Sequence, residues 1–199
     1  FVLLCLIVGV AWRTVGSSSL KDSETSYLQA ASKEDPASRL ADLEPLVADG
    51  AVADQALYMA GEAAYQTKDY AKAKEFFQKL RDNNPDSRFV GDAVEGLGFI
   101  AENESKGQDA LACYQEIIEK WPNSFAARRQ RVNLGRVQES LGNPAEAVKA
   151  YQDQKNAFPK SPFEEEVDAA LDRLKQSNPE LFPVAEAPAP VAKAEPVDA

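Results

Sequence analysis

Residues 61–85 read GEAAYQTKDYAKAKEFFQKLRDNNP, and four of their residue types return twice at a constant spacing of 37 residues. The recurring residues are a glycine (Gly61, Gly98, Gly135), an alanine (Ala73, Ala110, Ala147), an aromatic residue (Phe77, Tyr114, Tyr151) and a proline (Pro85, Pro122, Pro159). Residue types that keep one register through three copies indicate an internal structural repeat.

Each unit is predicted to contain two helices. The repeated glycine and alanine, Gly61 and Ala73 in the first unit, are expected where the two helices come closest, so neither position can carry a bulky side chain. The aromatic residue, such as Phe77, is expected to fill the space between neighbouring units. Pro85 ends the second helix because proline cannot continue it, and Ser87 is expected to cap the first helix of the next unit. The sequence therefore predicts an all-α stack of helical hairpins.

This pattern resembles the tetratricopeptide repeat (TPR) over roughly residues 52–161. The usual TPR period is about 34 residues, so each unit here carries extra residues after its proline. The positions of two consensus aromatic residues in the first helix are filled differently, for example by Ala64 and Leu57. The resemblance implies a solenoid of helical hairpins whose first helices line a concave groove for a protein partner.

The repeats are expected to be flanked by other segments. Residues 17–50 are predicted to form a degenerate helix pair, residues 51–161 the three repeat units, and residues 162–176 a capping helix. Where the register would place a fourth glycine the chain has Asp172, which suits an end cap with no second helix to face. Residues 177–199 are rich in alanine and proline, and a disordered tail is predicted there.

Residues 1–12 (FVLLCLIVGVAW) form an uninterrupted apolar run. Twelve helical residues span about 18 Å, less than the ~30 Å of a bilayer core. Because the sequence does not begin with methionine, residues 1–16 are interpreted as the end of a transmembrane anchor and its interface. The alternatives are the core of a signal peptide with a poor cleavage site near Gly16, and a lipoprotein signal at Cys5, which Leu4 argues against.

Composition argues against several functions. Thirty-two acidic against 22 basic residues give a net charge of −10, which disfavours binding to nucleic acid. The chain has no histidine, the commonest general base and metal ligand. Cys5 and Cys113 have no partners at metal-ligand spacing, and no phosphate-binding loop is visible. We therefore expect no enzymatic activity, metal, cofactor or small-molecule substrate.

The TPR resemblance also implies where a partner would bind. In this family the groove is lined by the residue three positions before the small residue of each first helix, and by those one and four positions after it. Arg129, one turn before Val132, is added to this set. The predicted partner-binding groove therefore contains Tyr58, Glu62, Tyr65, Glu95, Phe99, Glu102, Arg129, Val132 and Arg136. Its aromatic residues are expected to anchor a peptide, and Arg136 to contact an acidic group or a carbonyl of the partner.

Residues 40–77 resemble the ancillary subunit of the bacterial Sec translocon, a single-pass inner-membrane protein with periplasmic TPR repeats. The resemblance implies a membrane-tethered, translocon-associated or chaperone-like scaffold, with membrane contact through residues 1–12 and the repeats in the periplasm. The Pro-x-Ser junctions, such as Pro85 to Ser87, also resemble a periplasmic TPR protein that coordinates cell-wall synthesis with constriction of the outer membrane. A structural subunit of a larger membrane complex is a further alternative.

Overall fold

The computed structural model describes residues 20–182, and all regular secondary structure in this range is helical. The helices are α1 (20–31), α2 (Pro36–Leu43), α3 (Ala53–Gln66), α4 (Tyr70–Asn83), α5 (Val90–Asn103), α6 (Gly107–Lys120), α7 (Gln130–Ser140), α8 (Pro144–Ala157) and α9 (Glu164–Ser177). The predicted all-α fold is confirmed for this part of the chain. Within it, no helix has both the length and the apolar character needed to cross a bilayer. The predicted transmembrane anchor, residues 1–16, lies outside the described residues.

The helices pair in chain order. Helix α3 packs on α4, α5 on α6 and α7 on α8, and each second helix also packs on the first helix of the next pair. The first helices α3 and α5 are in contact with each other as well. This arrangement is a solenoid of three helical hairpins, in which each repeat contacts mainly its neighbours.

The repeated glycine and the repeated aromatic residue face each other within every hairpin. A Cβ atom at Gly61 would lie 2.4 Å from Cε1 of Phe77, and one at Gly98 would lie 2.3 Å from Cε1 of Tyr114. The same relation joins Gly135 to Tyr151, at 2.5 Å. The glycine is therefore required by the aromatic ring of the second helix. The prediction that the glycine marks a close approach of the two helices did not identify this ring as its neighbour.

Phe77 also joins two repeats. A Cβ atom at Gly96, on the first helix of the second hairpin, would lie 2.5 Å from Cε2 of the same ring. The ring is 2 % exposed and lies between α3 and α5, which explains why both helices carry glycine there. The expectation that the aromatic residue fills the space between neighbouring units agrees with this packing.

The serines after the prolines do not cap the first helices directly. Ser124 Oγ accepts a hydrogen bond from Ala127 N at 3.1 Å, at the start of a 3-10 turn, Ala126–Arg129, that precedes α7. Ser87 Oγ accepts one from Phe89 N at 3.3 Å, whereas α5 begins at Val90. In the first two units the extra residues form a turn before the next helix, and the serine side chain accepts a hydrogen bond within that turn.

The C-terminal end of the stack is longer than predicted. Helix α9 buries Val167, Ala170 and Leu174, and Asp172 is exposed. A 3-10 turn follows at Pro179–Leu181, and Leu181 and Phe182 pack against the apolar cluster of α8 and α9. Residues 177–182 are thus folded, although the sequence analysis assigned them to a disordered tail, because these two large apolar side chains have a surface to cover. The rest of the predicted tail lies outside the described residues.

Candidate functional site

A groove of about 310 Å³ lies between the first helices of the first two hairpins and the turn before α7. Six of the nine predicted groove residues line it: Tyr58, Glu62, Tyr65, Glu95, Phe99 and Arg129. Its other lining residues were not predicted: Gln66, Phe77, Asp92 and Gly96. The structure therefore brings together most of the residues that the repeat register selected.

The aromatic side chains of the groove are held by contacts behind them. The ring of Tyr58 stacks on Phe89, with centroids 5.3 Å apart and an interplanar angle of 14°. Phe99 packs edge-on against Tyr114 at 6.1 Å, and Tyr65 packs on Tyr70 at 5.4 Å. Rings fixed in this way lose little further conformational freedom when a ligand binds.

Asn103 connects two of these aromatic positions. Its Nδ2 donates to the hydroxyl oxygen of Tyr65 at 2.8 Å and to the carbonyl oxygen of Phe99 at 2.8 Å. Its Oδ1 accepts from the hydroxyl of Tyr70 at 3.2 Å. One exposed asparagine therefore links the two walls of the groove contributed by α3 and α5.

Glu95, at the floor of the groove, is the most buried charged residue described there, with 3 % of its surface exposed. The guanidinium of Arg129 donates to both oxygens of its carboxylate through Nε and Nη2. The side-chain amides of Gln130 and Asn133 donate to it at 2.8 and 3.2 Å. Hydrogen bonding to Glu95 raises the pKa of Arg129. This cluster joins α5 to α7 and satisfies a carboxylate that burial would otherwise make costly.

Two further carboxylates, those of Asp92 and Glu62, face the groove with fewer partners to neutralise their charge. Asp92 Oδ1 lies 3.2 Å from Nη2 of Arg129, and burial raises the pKa of Asp92 although that guanidinium lowers it. Glu62 accepts a hydrogen bond from the hydroxyl of Tyr58 at 2.9 Å. Burial raises the pKa of Glu62, and the charge of Asp92 raises it further. Within the described residues, Glu62 forms no ion pair.

The predicted site residues Glu102 and Arg136 lie outside this groove and form an ion pair with each other. Arg136 Nη2 donates to Glu102 Oε1 at 2.8 Å, and the hydroxyl of Tyr114 donates to the same oxygen. Arg136 was expected to contact an acidic group of a partner. Its guanidinium instead neutralises a carboxylate of the neighbouring helix.

The same three-residue arrangement recurs one repeat later. Arg173 Nη2 donates to Glu139 Oε1 at 3.0 Å, and the hydroxyl of Tyr151 donates to that oxygen at 2.8 Å. We call this arrangement the Arg-Glu-Tyr ladder. It occupies the first-helix face between α5 and α7 and between α7 and α9.

The ladder is missing between α3 and α5. The residues at the equivalent positions, 37 earlier in the chain, are Phe99 for the arginine, Tyr65 for the glutamate and Phe77 for the tyrosine. Among the described residues, no arginine–glutamate pair joins α3 to α5, and the rings of Tyr65, Phe77 and Phe99 line the groove instead. Comparing the repeats position by position gives a sequence signal for the groove that the register alone did not supply.

Val132 does not line the groove. It is 4 % exposed and lies in the apolar cluster with Tyr151 and Val167. Its equivalents in the earlier repeats, Tyr58 and Glu95, do line the groove. The prediction for Val132 was wrong because α9, packed beside α7 and α8, covers this position at the end of the stack.

The described residues show no metal centre. Within residues 20–182, no group of three or more cysteine, aspartate or glutamate side chains is placed to hold a metal ion. The thiol of Cys113 is partly buried, which raises its pKa to about 11 and keeps it in the unreactive protonated form near neutral pH.

Comparisons with known proteins identify the repeats. Two family models described as tetratricopeptide repeat match residues 55–87 and 100–162. The solved structure described as MamA MSR-1 C2 is 17% identical, with a TM-score of 0.56 over 77% of this chain and 83% of that one. A thermophilic TPR protein of Thermus thermophilus is 18% identical, with a TM-score of 0.51 over 79% of this chain and 82% of that one. A comparison with curated proteins gives no match.

The similarity to these two solved structures concerns the fold alone. At such identities the two solved structures show a shared helical-repeat architecture and nothing finer. TPR repeats generally mediate contacts between proteins, and the groove described above lies on the face that the first helices form. Residues 55–87 and 100–162 of this chain are therefore tetratricopeptide repeats, as the 37-residue period predicted.

Proposed function

We propose that this chain is a non-enzymatic scaffold that binds a segment of another protein in the groove between α3 and α5. The observation that carries the proposal is the missing Arg-Glu-Tyr ladder at this junction, where Tyr65 and Phe99 occupy the positions of the paired charges. Aromatic side chains in a preformed groove are the residues that most often dominate protein–protein binding.

The groove is suited to a polypeptide segment rather than to a folded surface. Its volume of about 310 Å³ is at the small end of the ~300–1,000 Å³ of ligand pockets. It therefore fits one or two side chains. The neighbouring junctions are closed by the ladder, so one short segment across α3 and α5 is the expected footprint.

We further propose that the scaffold is tethered to the inner membrane of a bacterial envelope with its repeats in the periplasm. The support is the apolar run of residues 1–12 and the resemblance of residues 40–77 to the ancillary Sec-translocon subunit. The test is membrane fractionation of the full chain followed by protease treatment of spheroplasts. Release by high salt, or repeats protected from external protease, would contradict the tether or its orientation.

A permanent subunit interface is the second candidate function. The ring of Phe125 is 72 % exposed and lines a separate cavity of about 560 Å³ together with Phe158 and Phe163. Arg129 lines both this cavity and the groove, whereas Tyr65 and Phe99 line the groove alone. Crosslinking from position 125, with none from the groove, would favour this function over transient peptide binding.

The direct test of the groove is photo-crosslinking in cells. A photoreactive phenylalanine analogue replaces Tyr65 or Phe99 in the groove, and matched probes replace the exposed Lys79 and Lys120 on second helices. We expect a shared crosslinked partner from positions 65 and 99 and none from positions 79 and 120. Capture from the second helices alone would show that another face binds the partner.

A further inference from the structure

We propose that the groove accepts a lysine or arginine side chain of the partner polypeptide, seated among Tyr58, Tyr65 and Phe99 with its charge facing Glu62 and Asp92. This inference rests on the proposed function, because it names the chemistry of the segment that the groove binds. It replaces the expectation that an arginine of this chain would contact an acidic group of the partner.

The charge balance of the groove carries the inference. Three carboxylates line it, those of Glu62, Asp92 and Glu95, and Arg129 is the one cationic residue among the lining residues. The guanidinium of Arg129 donates two hydrogen bonds to Glu95 and one, at 3.2 Å, to Asp92. Because this one positive charge already binds Glu95 and Asp92, the lining has more negative than positive charge.

Two arginines outside the lining, Arg39 and Arg88, are engaged by other groups. Arg39 lowers the pKa of Glu62, but burial outweighs it and the pKa is raised. The Nε and Nη2 of Arg39 donate to the backbone carbonyls of Lys33 and Glu34 at 2.9 and 3.1 Å. Arg88 packs over the ring of Phe89 at 4.5 Å, and that ring stacks on Tyr58. A ligand cation would supply the missing positive charge directly.

The aromatic lining favours the same ligand. Cations are attracted to the faces of tyrosine and phenylalanine rings, by about 0.5–1 kcal/mol at exposed sites and by about 2 kcal/mol when water is excluded. The alkyl stem of lysine or arginine packs on such rings while its charged end reaches the carboxylates. A carboxylate ligand would instead meet two partly buried negative charges and no unengaged cation of the lining.

The experiment selects peptides from a phage-displayed library of random 12-residue sequences on the full chain. Selected peptides are synthesised, and their groove contact is checked by competition with crosslinking from position 99. Each basic residue is then replaced, lysine by norleucine and arginine by citrulline, which removes the charge and keeps the shape. We expect one basic position whose replacement weakens binding at least tenfold.

The matched protein variants are the double substitution Glu62→Gln with Asp92→Asn, and the control Glu165→Gln at an exposed position of α9. The double variant should bind charged and neutral peptides alike, and the control should keep the preference. Peptides that occupy the groove but are indifferent to loss of their charge would overturn the cation inference and leave the proposed function standing. If no peptide is selected, or none competes at position 99, both fail.

Discussion

Glu95 and Arg129 form a doubly hydrogen-bonded ion pair that joins α5 to the turn before α7, with Glu95 only 3 % exposed. Arg129→Met should destabilise the domain by about 3–5 kcal/mol, since it leaves a buried carboxylate without its cation. Adding Glu95→Gln should recover part of this loss, because the substituted amide carries no charge. The measurement is the free energy of unfolding in urea.

The control for this cycle is Arg173→Met. Its pair with Glu139 lies at the surface, with the arginine side chain 62% exposed, so the loss should stay below about 1 kcal/mol. If Glu95→Gln adds to the loss of Arg129→Met instead of relieving it, the hydrogen bonds to Gln130 and Asn133 matter more than the charge.

The glycine–aromatic contacts give a second prediction. Gly98→Ala places a methyl group 2.3 Å from the ring of Tyr114, which is fully buried and has no room to move. Overpacking of this kind costs about 1–3 kcal/mol, partly offset by the ~1 kcal/mol helix preference of alanine over glycine. A net loss of stability is expected in thermal unfolding.

The control for Gly98→Ala is Gly50→Ala, at a turn where an added Cβ has no neighbour within 4 Å. It should leave the melting temperature nearly unchanged. A Gly98→Ala variant as stable as the natural chain would show that the ring of Tyr114 can shift and that the repeated glycine has another cause.

The 37-residue period predicted the architecture because it arises from contacts between residues of the same hairpin. Gly98 and Tyr114 belong to the same unit, so their relation recurs wherever the unit recurs. The groove positions Tyr58, Tyr65 and Phe99 were implied by the TPR resemblance, applied to this register. These are properties that a repeat carries within itself.

The predictions that were wrong concern residues whose contacts lie in a neighbouring unit or at the end of the helical stack. Val132 is buried because α9 covers it, and Arg136 is engaged because Glu102 of the preceding unit faces it. Neither fact is visible in the unit that contains the residue. Leu181 and Phe182 were assigned to the tail because the composition around them is rich in alanine and proline, although their own side chains pack on the last helices.

The raised pKa of Glu62 gives a prediction for pH dependence. In the folded state its pKa lies above the ordinary value of 4.5, mainly because of burial. The folded chain therefore binds a proton more readily than the unfolded chain, and this group adds stability as pH falls through its raised pKa and opposes folding above it. Glu62→Gln should be more stable than the natural chain at neutral pH, and this advantage should shrink as the pH falls towards 4.5.

The sequence contains no histidine to titrate in the same range, and Asp92, whose pKa is also raised, is present in both chains. The measurement is the difference in free energy of unfolding between the two chains from pH 7 to pH 4, with Glu165→Gln as the control. A Glu62→Gln variant less stable than the natural chain at pH 7 would mean that a cation already neutralises Glu62.

The central claim is that the rings between α3 and α5 bind the partner. Its most direct test is the affinity of Phe99→Ala for a partner or peptide captured by the natural chain, with the melting temperature measured alongside. Loss of an aromatic anchor of this kind weakens binding by about 2 kcal/mol, or roughly thirtyfold, and the melting temperature should show that the domain remains folded. Unchanged affinity in a folded Phe99→Ala variant would contradict the claim and place the binding surface elsewhere on the stack.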